Sequence, residues 1–142
     1  MKISARNVFK GTVSHLETGA VNAEVTVGIA GGEKITAIVT NGSVKSLGLE
    51  VGKEVSVLIK SSSVMVLVDG SGVRLSARNS LAGTVQNVVE GAVDAEVSIA
   101  LPGGVVVHAV ITKESVKNLG LKAGVPATAV VKSSSVILGV TG

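Results

Sequence analysis

VNAEVTVGI, residues 21–29, sets Val21, Ala23, Val25, Val27 and Ile29 on alternate positions, with Asn22, Glu24, Thr26 and Gly28 between them. A period of two marks a strand with one face in a core and the other toward polar surroundings. Gly19-Ala20 before it and Gly31-Gly32 after it are turn signals, which predicts neighbouring strands at about 8–17 and 34–39. The same alternation returns at 93–99, VDAEVSI.

The recurrence extends along the whole chain. Aligning residues 1–70 with 73–142 needs no gap and matches 31 of 70 positions, including SARN (4–7 and 76–79), GAV (19–21 and 91–93) and KSSSV (60–64 and 132–136). The chain is a tandem duplication, read as units 1–69 and 70–142 with a Gly/Ser-containing junction at about 69–75. Each unit is near the size at which one core is marginal, since a domain of about 60 residues buries only about 60% of its unfolded-chain surface. There is no cysteine to form a disulfide, and two histidines without Cys partners do not make a structural zinc site. Packing of one unit against another is therefore expected, with oligomerisation beyond it.

One short helix is predicted in each unit. In the first, Thr40 stands as N-cap, Val44 and Leu47 share a face, and Gly48 provides the stop; Thr112 to Leu121 repeats the pattern. Two further strands are expected at about 54–60 and 63–68. Five short strands with a helix between the third and fourth is the order of an OB-fold, a small Greek-key barrel, so the expected class is all-β with two tandem OB-folds.

Composition narrows function. The hydrophobic fraction of 46% is almost wholly aliphatic, with one Phe and no Trp or Tyr. Single-strand nucleic-acid binding on such folds relies on aromatic platforms, and Phe9 is matched by Leu81 in the second unit. The net charge of +3 contains no Lys/Arg block, which suits small anions better than polyanions. No apolar run approaches membrane-spanning length, and MKISARNVFK does not lead into a signal peptide, so a cytoplasmic protein without a membrane partner is expected. His15 and His108 are not equivalent positions, no nucleophile motif appears, and Glu24 and Glu96 lie on polar strand faces as solvated or ion-paired carboxylates. No enzyme is expected.

The repeated polar motifs remain. SARN offers a hydroxyl, a guanidinium fork and an amide; KSSSV adds an ammonium and three hydroxyls. A cluster rich in charge-assisted donors suits a small oxyanion. The ordinary reading is that serines cap turns while Arg and Lys cover barrel rims. The GAV turns likewise present backbone N–H groups to an anion or simply connect two strands.

Taken in order and twice over, SARN, GAVNAEV, the VT-x-x-SVK-x-LGL helix and KSSSVILGV resemble the molbindin, or Mop-domain, family. The resemblance implies an OB-fold per unit and a homotrimer of two-domain chains. It implies cytoplasmic binding of molybdate, and tungstate as its analogue, at domain and subunit interfaces for molybdenum storage and homeostasis. The metal arrives as an oxyanion with no side chain coordinating it directly, and no cofactor is implied. Carried over residue by residue, Ser4 and Arg6 are ligands with Asn7 supporting the backbone, joined by Thr40, Lys60 and Ser61. The second copy supplies Ser76, Arg78, Asn79, Thr112, Lys132 and Ser133. Backbone groups at Ala20-Val21 and Ala92-Val93 line a second class of site near the three-fold axis. The Lys-Ser half of each cage is expected across a domain interface from its Ser-Arg half. An anion-responsive module acting on a protein partner is the alternative. Two departures stand out: Asp94 replaces Asn22 near the second GAV turn, and Asn41-Gly42 makes a weaker helix start than Lys113-Glu114.

Overall fold

The computed structural model describes residues 1–70 and 72–141. Ser71, inside the expected junction at 69–75, and the terminal Gly142 lie outside the described residues. The first repeat forms β1 (Asn7–Thr18), β2 (Asn22–Ile29), β3 (Lys34–Thr40), α1 (Asn41–Leu47), β4 (Glu54–Ile59) and β5 (Met65–Leu67). The second forms β6 (Asn79–Glu90), β7 (Asp94–Ala100), β8 (Val106–Thr112), α2 (Lys113–Leu119), β9 (Pro126–Val131) and β10 (Ile137–Gly139). The order of five strands with a helix after the third is the OB-fold order, present twice.

Local chemistry accounts for the short helices. Thr40 Oγ1 accepts the Ser43 N–H at 3.0 Å and Thr112 Oγ1 accepts the Ser115 N–H at 3.1 Å, each satisfying a donor of the first turn. Gly48 and Gly120 adopt left-handed φ of 63° and 65°, which ends each helix. Despite Asn41-Gly42, α1 is as long as α2, because the same caps hold both ends.

The strands pair antiparallel, but the last strand of each repeat is exchanged. One sheet runs β10-β4-β1-β2-β3 and the other β5-β9-β6-β7-β8. The 3-10 turns at Ser61–Ser63 and Ser133–Ser135 lie between Lys60 or Lys132 and the short strand; they pack on β8 and β3 of the opposite repeat. Met65–Leu67 then pairs with β9, and Ile137–Gly139 with β4. β10 also touches β3 and β5 touches β8, which brings the edges of each sheet together into a small barrel. The repeats at 1–69 and 70–142 thus remain units of sequence, while each barrel takes strands from both.

The alternation holds over β2, with Ala23, Val25, Val27 and Ile29 all buried, while Val21 precedes the strand and is exposed. Val25, Val27 and Ile29 join a single apolar cluster with members from both repeats. Each fully buried valine contributes about 1.5–3 kcal/mol, against 0–1 kcal/mol for an exposed ion pair, so the aliphatic core carries the stability.

Two asparagines secure the seam. Asn7 Nδ2 donates to the His108 carbonyl at 2.8 Å while Asn7 Oδ1 accepts the His108 N–H at 2.7 Å. Asn79 makes the same pair of bonds with Thr36, both at 2.8 Å. β3 and β8 are sheet edges with free backbone groups, and each buried amide acts there as one additional peptide unit. Nearby, the β2–β3 and β7–β8 turns meet backbone to backbone. A β-carbon on Gly103 (φ 95°) would lie 2.5 Å from the Gly31 Cα.

Asn79→Ala leaves the Thr36 N–H and carbonyl without partners, at about 1–3 kcal/mol for each unsatisfied buried group. Urea unfolding should show a lower midpoint; a midpoint equal to wild type would contradict this role.

Candidate functional site

The site residues assemble because of strand register. Asn7 lies opposite Ile59 and Asn79 opposite Val131, so the residues just before β1 and just after β4 meet at one end of the first sheet, and their counterparts at one end of the second. A pocket of about 250 Å³ is lined by Ser4, Ala5 and Arg6 together with Lys60, Ser61 and Ser62. Its counterpart of about 490 Å³ is lined by Ser76, Ala77 and Arg78 with Lys132, Ser133 and Ser134. Within one chain, therefore, the Ser-Arg and Lys-Ser halves come from the same repeat, contrary to the expectation that they meet across a domain interface. The opposite repeat supplies a wall instead. Ile137 of β10 lines the first pocket, and Met65, Val66 and Leu67 of β5 line the second. That second, longer wall and Leu75 make the larger pocket mostly apolar apart from its donors.

The arginines also face outward from the pockets. Arg6 Nη1 donates to Glu96 Oε2 at 2.8 Å. Arg78 grips Glu24 with two bonds, Nη1 to Oε2 at 2.6 Å and Nη2 to Oε1 at 2.8 Å. Each carboxylate belongs to the opposite repeat, so Arg and Asn of SARN both reach across the seam, one to a side chain and one to a backbone. The hydrogen bonds from Arg78 outweigh partial desolvation and hold the Glu24 carboxyl below its usual range, while Glu24 raises Arg78.

Other expected residues lie apart from this cluster. Thr40 serves as the cap of α1. Thr112 caps α2 and lines a separate cavity of about 370 Å³ with Ser115 and, from the first repeat, Ser62 and Met65. Ala20-Val21 and Ala92-Val93 sit at exposed turn tips and line neither Ser-Arg pocket. The turns are tied to the helices: Asn41 N–H donates to the Val21 carbonyl and Lys113 N–H to the Val93 carbonyl, both at 3.0 Å. Asp94 is exposed at the start of β7.

Glu24 and Glu96 are expected from sequence to be either solvated or ion-paired; both are ion-paired, to arginines the sequence reading leaves unnamed. The signal was present, since one acid and one arginine recur at matching positions in both repeats. His108 was set aside as unpaired in the alignment; its ring Nδ1 lies 3.1 Å from Ser98 Oγ and 3.4 Å from Glu96 Oε1. Among the described residues no group of three or more His, Asp or Glu side chains gathers to hold a bare metal ion. Nor is any helix there long and apolar enough to cross a membrane.

Lowering pH tests the Arg78–Glu24 tie. Because Glu24 is held below its unfolded value, the unfolded chain takes up the proton first, so the stabilisation is complete above the ordinary carboxylate range and is lost as pH falls through Glu24's lowered folded value. The Tm difference between wild type and Glu24→Gln should be largest near neutrality and shrink toward pH 3. A difference that grows on acidification would contradict the assignment.

The TOBE domain model matches this chain twice, at residues 3–66 and 75–138. The molybdenum transport protein ModE of Azotobacter vinelandii is 49% identical over 142 residues, covering 100% of this chain and 52% of ModE. This chain thus spans about half the length of ModE. A probable molybdenum-pterin-binding protein of Haemophilus influenzae is 52% identical over 69 residues, covering 49% of this chain and 100% of that protein. A crystal structure of the cytoplasmic molybdate-binding protein ModG, with molybdate bound, superposes with a TM-score of 0.96 at 57% identity, covering 99% of this chain and 100% of that one.

Proposed function

This chain belongs to the TOBE-domain family, in its molbindin (Mop-domain) branch, and from that premise we propose that it is a cytoplasmic molybdate-binding protein serving molybdenum storage and homeostasis. The observation that carries the reading is the convergence of Ser-Arg with Lys-Ser in one pocket, twice per chain, in a fold shared with a molybdate-bound relative. Molybdate at neutral pH is a fully deprotonated tetrahedral dianion. It accepts hydrogen bonds at every oxygen and offers none, so a pocket lined by donors favours it over protonated phosphate, whose proton needs an acceptor. Tungstate shares that chemistry. Binding without reaction is sufficient for storage, and no catalytic role is assigned.

Ser4, Arg6, Lys60 and Ser61 form one ligand set; Ser76, Arg78, Lys132 and Ser133 form the other. Asn7 and Asn79 hold the arginine segments against the seam. Thr40 and Thr112, and the backbone at Ala20-Val21 and Ala92-Val93, belong to sites completed by further copies of the chain in a homotrimer. The exposed Val21 and Val93, 71% and 73% accessible, support burial of those turn tips on assembly. Neither nucleic acid nor a membrane is assigned as a partner.

The match to only about half of ModE favours a second reading, an anion-responsive module acting on a protein partner. A partner retained only in the presence of molybdate in pull-down would promote it.

Titration of anion-depleted protein with molybdate, read by calorimetry alongside native mass spectrometry, should show saturable binding to a trimer. Lys132→Ala and Lys60→Ala each remove a charge-assisted bond of about 1.5–3 kcal/mol, roughly ten- to a hundred-fold in affinity at the affected sites. A monomer that binds no molybdate at micromolar concentration would sink the proposal.

A further inference from the structure

Each arginine of the two pockets already holds an anion supplied by the protein itself. Glu24 stands on β2 and Glu96 on β7, each in the repeat opposite the pocket whose arginine it grips. The carboxylate ends are the more enclosed: Glu24 and Glu96 keep 26% and 23% side-chain exposure, against 51% and 54% for Arg78 and Arg6. The acids are fixed on strands, while the guanidiniums stand open to solvent and to the pocket. A guanidinium has five N–H donors, and those given to the carboxylate are withheld from any other anion.

We propose that Glu24 and Glu96 are resident competitors that occupy Arg78 and Arg6 and thereby lower the affinity of each pocket for small oxyanions. This rests on the molybdate reading above. Two cations face each pocket, Arg78 with Lys132 or Arg6 with Lys60, and the carboxylate offsets one of them. Attraction for a dianion is reduced accordingly, which keeps binding reversible. An anion that takes over the N–H groups now given to the carboxylate also loosens the arginine from the opposite repeat, which links occupancy of a pocket to the seam.

The two pockets are not equal. Arg78 is held by two bonds and Arg6 by one, and the other oxygen of Glu96 faces His108 at 3.4 Å. The larger gain on removing the competitor is therefore expected from Glu24.

The test is calorimetric titration of the full chain with sodium molybdate, and separately with sulfate, at fixed ionic strength. Glu24→Gln keeps the shape and removes the charge. It should bind molybdate roughly two- to five-fold tighter, the range of an exposed ion pair. Adding Arg78→Ala to Glu24→Gln should erase the gain. Glu96→Gln repeats the test at the other pocket and decides it should Glu24→Gln fail to fold. Unchanged or weaker binding in folded variants overturns the proposal, weaker binding because it would make the acids positioning arms. If wild type binds no molybdate, the parent reading falls and this proposal with it. Wild-type binding with unaltered variants overturns the competitor role alone.

Discussion

Closure of each barrel depends on a strand from the other repeat, and most of the molecule follows from that exchange. A unit of about 70 residues, without disulfide or metal, has too little core to stand firmly alone. Trading Met65–Leu67 for Ile137–Gly139 merges two marginal cores into one apolar cluster. It also draws the 3-10 turns onto β3 and β8, beside the edge groups that Asn7 and Asn79 satisfy. Aliphatic burial supplies the magnitude. The asparagines supply direction, because a buried amide pair tolerates no slip in register.

The pockets inherit this arrangement. Antiparallel pairing of β1 with β4, and of β6 with β9, fixes Ser-Arg beside Lys-Ser without help from loops. The exchanged strand closes one side with apolar surface, while the arginines and lysines stay open to solvent on the other. SARN has two jobs at once. Its Ser and Arg line the pocket, while Arg and Asn also join the repeats. Pocket lining and the packing of the repeats are therefore coupled within one four-residue motif.

Much of this was legible in the sequence. The alternation in 21–29 predicts β2 and its burial, Thr40 and Gly48 predict α1, and the gapless repeat predicts the second copy of both. The SARN and KSSSV motifs name the pocket donors. The exchange was not legible, because a three-residue apolar strand such as Met65–Leu67 carries the same pattern whichever barrel accepts it. Nor was the origin of the Lys-Ser half, which depends on the Asn7–Ile59 register. Buried Asn7 and Asn79 run against the usual exposure of asparagine; only their recurrence at the start of a strand marks them.

The most direct measurement is anomalous diffraction at the molybdenum edge from crystals grown with molybdate. Peaks are expected within the enclosure of Ser4, Arg6, Lys60 and Ser61, and within that of Ser76, Arg78, Lys132 and Ser133. Ordered molybdate found only elsewhere, with both pockets empty at saturating anion, would contradict this assignment.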